Sequence, residues 1–393
     1  MKRTPWLLYT YLLTEMLAPF FAALLVINAI LFLGRLVPLL DGIFGLGVGL
    51  GDFARLCLYI SPSLLRFSVP MAAMMAVIIA FTRMGNDLEI MALKASGIGL
   101  VKILPPVIFF GLITGLMTLG VATSLLPRGT VAMHQLMLHL ATERIEQGVQ
   151  EKAFSEGLGN VVLYVEEVSA DDRGWRGVYL SDLRDPANPL TIAARSGALR
   201  AEPAKGLAIL TLADGSLHRA VGDKTQTIHF QRYTLDLPLQ PPAMGQLGRS
   251  SMTQPELLAR AATLAPDHPQ RLRLLIEYHQ RLVLPLGCFL LSILGLSLSQ
   301  IGQSSRLALG VPLGLASFIG YYVLLTVAKS LSENGQIPVV PAMWAPNLVF
   351  LLLTIHLLRR SALELGNPWL DRVIAGGRDT FARLRQWGGK TEP

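Results

Sequence analysis

Hydrophobic and polar positions alternate along this chain in long blocks. Apolar runs fall at Ala18–Leu40, Leu56–Phe81, Ile103–Leu126, Leu282–Leu298, Leu307–Ala328 and Met343–Leu358. Each is of the length that crosses ~30 Å of hydrocarbon as a helix, the fourth and sixth near the short limit. The fourth extends back through Leu272–Tyr278 as a helix standing proud of the membrane, with Glu277 and Arg281 as i, i+4 partners. Between the third and fourth runs the period changes from helical to alternating. Short strand-like runs follow at Val161–Val165, Gly177–Leu180, Leu190–Ala194, Leu207–Leu212, Ser216–Val221 and Thr227–Leu237. Asp214-Gly215 reads as a two-residue hairpin between the fourth and fifth. In the last run Ile228 and Phe230 share one face while Tyr233, Leu235 and Leu237 take the other, which predicts a β-bulge near Gln231–Arg232. The fold expected is an α-helical membrane protein of six transmembrane helices with an inserted antiparallel β domain, a sandwich or jelly roll.

This pattern divides the chain into residues 1–130 with three spans, a β domain at 145–245, residues 253–362 with a lead-in helix and three more spans, and a basic tail at 363–393. Thr253-Gln-Pro-Glu256 is a capping-box start for the lead-in helix. The stretch from Pro5 to Met16 reads as an interfacial lead-in with Trp6, Tyr9 and Tyr11 at headgroup depth. The run after it is too long for a signal-peptide core and has no small-x-small cleavage site, so the first span is expected to be retained.

A polar island, Phe81–Gly97, separates the second and third spans. Leu88, Met91, Ala92 and Ala95 recur at helical spacing. Asp87 and Glu89 near its start and Lys94 near its end suit a helix dipole, and Gly85 and Gly97 bracket it as breakers. The bland reading is a connecting helix with a solvated charged face. The functional one is a docking knob for a partner, with Glu89, Asp87 and Arg83 as the contacting charges.

Charge fixes the expected topology. The chain is 52% hydrophobic and 16% charged, with a formal net charge of +7. Lys2, Arg3, Arg83, Lys94, Lys102, Arg306 and the arginines of the tail share one side, while loops Asp41–Asp52 and Ser330–Pro341 contain no Lys or Arg. By the positive-inside rule both termini and the island are cytoplasmic and the β domain lies outside. The basic balance comes from topology; no basic run interleaved with aromatics points to nucleic acid. Cys57 and Cys288 fall inside apolar runs and read as core filler.

Catalytic patterns fail on inspection. Gly389-Lys390-Thr391 lacks the earlier glycine of a P-loop, Leu384 standing there. The glycines at 45–51 miss the dinucleotide spacing. His134 and His139 lack the zinc-helix glutamate. No cofactor is implied. The candidate functional residues are instead charges within spans, each costing roughly 2.5–3.5 kcal/mol at a helix centre. Arg35 lies near the outer end of span one, Arg66 deeper in span two after Pro62, and Lys329 at the end of span five. Snorkelling explains Arg35 and Lys329 without a ligand; a basic ring for lipid phosphates is the alternative.

The island Leu88–Gly97, the Arg35-Leu-Val37 end of span one, the inserted β domain and Lys329-Ser330 before Asn334-Gly335 together resemble the lipopolysaccharide-export permeases, the paired F and G subunits of the Lpt ABC transporter. Glu277…Arg281 and Ser332–Pro338 are more similar to F than to G. Where F subunits often carry a second basic residue three positions after Arg35, this chain has Pro38. The resemblance implies an inner-membrane permease subunit, not itself an enzyme, paired with a sister permease above a cytoplasmic ATPase dimer. Glu89 would lie in the coupling helix that enters the ATPase. Lipopolysaccharide would enter laterally between span one of one permease and span five of the other, its phosphates meeting Arg35 and Lys329, with Arg66 compensating for Pro38. The β jelly roll would pass acyl chains to a periplasmic bridge protein. A membrane-anchored scaffold or sensor whose β domain binds an envelope partner is the competing reading; an ion channel is disfavoured because no span has regular polar spacing.

Overall fold

A computed structural model describes residues 6–43, 49–146, 154–155, 161–168, 174–182, 190–202, 207–221, 224–238, 248–266, 268–301 and 310–363. Expectations for the tail beyond 363 and for the loops 302–309 and 44–48 lie outside these residues. Among the described residues six helices are long and apolar enough to cross a membrane. They are α1 (Trp6–Ile43), α2 (Leu50–Asn86), α4 with α5 (Leu100–Gly120 and Leu126–Glu146), α7 (Pro269–Ile301), α8 (Gly310–Glu333) and α9 (Val339–Ala362). The short α3 (Glu89–Ala95) joins α2 to α4, and α6 (Gln254–Ala262) precedes α7. All six coincide with the apolar runs and overshoot most of them, because a helix continues beyond the hydrocarbon wherever its backbone bonds stay satisfied. At α1 the overshoot takes in a stretch expected at the interface, Pro5–Met16, yet Leu12 and Met16 are buried in the helical core.

The described chain forms two compact units. The first gathers Met1–Leu31, Ser63–Leu125 and Thr253–Pro393. In it Leu12, Met16 and Phe20 of α1 pack with Ala72, Ala73, Ala76 and Ala80 of α2, Ile90 of α3 and Ile103 and Val107 of α4. Small residues on α2 let the helices approach closely, the usual device where lipid removes the hydrophobic incentive to pack. A second cluster joins Met74 and Ile78 of α2 to α7, α8 and α9. There Tyr321 Oη donates to Asn347 Oδ1 at 2.8 Å, and Asn347 Nδ2 donates to the Val283 carbonyl at 3.0 Å. One backbone acceptor on α7 thus ties α8 and α9 together in a dry interior, where an unmade bond is costly.

The second unit holds Phe32–Pro62 and Leu126–Met252. Leu56 and Ile60 of α2 pack on Met133, Leu136, Met137 and Leu140 of α5, with Phe32 and Leu36 of α1 beside them. Its β domain is one antiparallel sheet, β1 (Phe154–Ser155), β2 (Val161–Val168), β3 (Trp175–Asp182), β4 (Leu190–Glu202), β5 (Leu207–Val221) and β6 (Lys224–Pro238), with sequence neighbours as sheet neighbours. Val161, Leu163, Leu180, Ile192, Leu210 and Leu212 are fully buried. Their cluster comes from β2–β6, with Leu138 of α5 packed on it from outside the sheet. The inserted antiparallel β domain is thus one sheet with one buried face, its described strands paired only in sequence order rather than as the two sheets of a sandwich or jelly roll.

Two expectations within the domain are corrected. Asp214-Gly215 makes no hairpin: β5 runs unbroken through it, and the chain reverses between Val221 and Lys224 instead. Nor is there an extra residue at Gln231–Arg232, since the β5–β6 register is the same on both sides, Ala213↔Arg232 and Gly215↔Phe230. The change of phase is real, but five strands share it. The flanking pairs place Glu166, Gly177, Arg195, Asp214 and Gln231 on one line across β2–β6. Along that line the buried parity flips: Val165 gives way to Val168, Val178 to Trp175, Ala194 to Gly197 and Leu212 to Leu217. The line is a crease. Two of its members need positive φ, Gly177 at 63° and Asp214 at 52°, and Asp is among the few side chains that tolerate it. Beside it, a Cβ on Gly215 would come 2.5 Å from the Ala193 carbonyl oxygen and 2.6 Å from Phe230. Local turn chemistry was read correctly and placed in the wrong structure.

Candidate functional site

The island folds as a strained turn followed by a short capped helix. Leu88, the N-cap of α3, sits at φ 61°, a conformation that costs an L-residue roughly 1–2 kcal/mol. At the other end Gly97 adopts φ 79°. Its N–H bonds to the Lys94 carbonyl and that of Ile98 to the Leu93 carbonyl, both at 2.9 Å. These are the two bonds of a Schellman stop, which requires the glycine.

Burial differs from the simple stripe. Ile90 is buried in the core, with Leu93 and Ile98 packed beside it. Leu88 and Met91, the leading residues of the expected stripe, are 60% and 65% exposed, and Ala92 and Ala95 are also exposed. The helix therefore has two apolar faces, one anchored and one unpartnered within the chain.

The first helix holds this island at two points. Tyr11 Oη donates to Glu89 Oε2 at 2.8 Å. One turn further on, Glu15 forms an ion pair with Arg83, which also lies 4.0 Å from Asp87. Tyr11 and Glu15 escaped the sequence reading because nothing local connects them to residues 78 and 68 positions away. Their i, i+4 spacing on α1 was the available signal.

The candidate basic residues have different surroundings. Arg35 is exposed on α1 in the second unit. Lys329 is half-buried on α8 in the first unit, one turn before the helix ends at Glu333. Neither has an ion-pair partner among the described residues. Arg66 is different. Its Nη1 lies 3.5 Å from Glu277 Oε1, the same oxygen that accepts from Arg281 Nε at 3.1 Å. The Arg66 guanidinium carbon also lies 4.7 Å from the centre of the Phe67 ring. The i, i+4 pair on α7 thus exists as read, and its carboxylate serves two cations.

Six helices fit to span a membrane, an inserted antiparallel sheet and a short helix presenting an open apolar face between spans two and three define a multi-pass membrane protein. The chain matches the family model of the lipopolysaccharide export system permease LptF/LptG over residues 10–360. It belongs to that family, and so is a permease subunit of the lipopolysaccharide export system in the inner membrane. It is also similar to the uncharacterized protein RP871 of Rickettsia prowazekii (strain Madrid E), at 22% identity over 275 residues, covering 69% of this chain and 75% of that protein.

Proposed function

We propose that this chain carries lipopolysaccharide out of the inner membrane under the drive of a separate cytoplasmic ATPase, received at α3. The observation carrying this is the exposed Leu88–Met91 face beside Glu89, on a helix anchored by Ile90 and tied to α1 through Tyr11. A rigidly mounted knob transmits displacement to the helices behind it, and the permease then shifts between two states by contact. The termini and island face the cytoplasm and the β domain the periplasm, a reading that the distribution of Lys and Arg supports. A dimer of the ATPase sits beneath this subunit and a sister permease, this chain taking the F position.

Arg35 and Lys329 each meet phosphate of the glycolipid; neither has an ion-pair partner among the described residues, as suits a group awaiting an anion. Arg66 contributes indirectly, by fixing α2 against α7 through Glu277. Acyl chains travel along the apolar face of the β domain. The outer edge of β6, which carries no strand among the described residues, offers backbone groups to a periplasmic bridge protein.

Copurification and glycolipid release from proteoliposomes test this. Met91→Asp alters an exposed position and Glu89→Arg a half-buried one that accepts from Tyr11, and each is expected to lose the ATPase and export while the spanning helices stay folded. Normal ATPase binding and release by both variants would remove α3 from the coupling role.

A further inference from the structure

An open cleft of about 500 Å³ lies at the crease of the β domain, lined by Ala193, Ala194, Arg195, Asp214, Ser216 and His229 among others. Arg195 and Asp214 are adjacent across β4 and β5, yet among the described residues neither side chain has an ion-pair or hydrogen-bond partner, and the His229 side chain has none there either. Ser216 is held in place, its Oγ 3.1 Å from His218 Nε2, while His218 Nδ1 lies 3.1 Å from Thr227 Oγ1. Asp214 occupies its place at φ 52° in mid-strand, where glycine would be easier. Side chains kept at strained positions cluster where they have work to do.

The donor and acceptor set narrows the ligand. A lone anion would meet the Asp214 carboxylate and a lone cation the Arg195 guanidinium. A neutral polyhydroxy ring suits both, donating to the first and accepting from the second. The two alanines leave room for it beside the strands. We propose that this cleft binds a saccharide, with Asp214 and Arg195 taking adjacent hydroxyls and His229 a third. The ligand is either the sugar portion of the exported glycolipid or a glycan of the cell wall. Neither ATP nor a partner chain is involved, so failure here leaves the coupling role of α3 untouched.

The test uses the full chain in nanodiscs and saturation-transfer NMR with two probes, a core oligosaccharide freed of its lipid and a soluble cell-wall glycan fragment. Asp214→Asn keeps a residue that tolerates positive φ; Arg195→Gln keeps hydrogen-bonding capacity; Arg232→Gln, outside the cleft, is the control. At least one probe is expected to bind, about tenfold or more weakly to the first two variants and unchanged with the control. The probe that binds identifies the source of the sugar. Binding of neither, equal binding by all variants, or binding only of an extended peptide probe would overturn the assignment.

Discussion

Tyr11 and Glu89, 78 positions apart, are joined by a 2.8 Å hydrogen bond from the phenol to the carboxylate. With Glu15 on Arg83 one turn away, it makes α1 a strut for the island. The bond is partly exposed, so its net worth is about 1 kcal/mol. Tyr11→Phe is expected to lower the unfolding midpoint only slightly. Amide exchange across residues 87–97 should rise severalfold, because α3 loses a tether but not its Ile90 anchor. ATPase binding should survive, since Glu89 keeps its charge. Unchanged exchange over α3 would show that the strut carries no load.

Leu88 gives a test in which stability and function move apart. Its left-handed backbone costs roughly 1–2 kcal/mol, and its exposed side chain returns little packing. Leu88→Gly removes that strain, partly offset by the greater freedom of glycine in the unfolded chain, about 0.5–1 kcal/mol. The thermal midpoint should stay level or rise while ATPase binding weakens. A midpoint several degrees lower would mean that Leu88 serves the fold of this chain alone.

What could be read beforehand followed the range of the interaction. The six spans, the Gly97 stop, the Thr253–Glu256 capping box and the Glu277–Arg281 pair all depend on residues within a few positions of each other. Tyr11, Glu15 and the partner of Arg66 depend on which helices become neighbours, and no local pattern encodes that. Asp214-Gly215 failed for another reason. A tight turn and a crease ask for the same positive φ and the same missing Cβ, and only the register of β4 and β6 on either side decides between them.

That distinction is measurable at Gly215. A Cβ there would press on the Ala193 carbonyl, the Ala194 Cα and the Phe230 ring at once, and two of these are backbone atoms that cannot swing away. Gly215→Ala should destabilise the β domain by about 2 kcal/mol or more, seen as faster proteolysis between residues 161 and 238. Gly174→Ala, with nothing within 4 Å of the added carbon, is the matched control and should be silent. Equal resistance of the two variants would restore an open turn at 214–215.

Glu277 lies between Arg66 and Arg281, with 13% of its side chain exposed against 16% and 0% for the arginines. Removing one member of a buried ionic cluster hurts according to what it strands. Glu277→Ala takes from Arg66 and Arg281 the carboxylate they share and should cost about 3–5 kcal/mol. Arg66→Met leaves Glu277 its shorter contact with Arg281 and fills the space with apolar atoms, so its cost should be small, about 1 kcal/mol or less. The midpoints in detergent should therefore fall steeply for the first variant and little for the second. Combining Arg66→Met with Glu277→Ala should recover part of the loss, since the buried Arg66 charge is then gone. If Arg66→Met alone proves as damaging as Glu277→Ala, the cluster depends on all three charges together, and Arg66 carries more than the 3.5 Å contact implies.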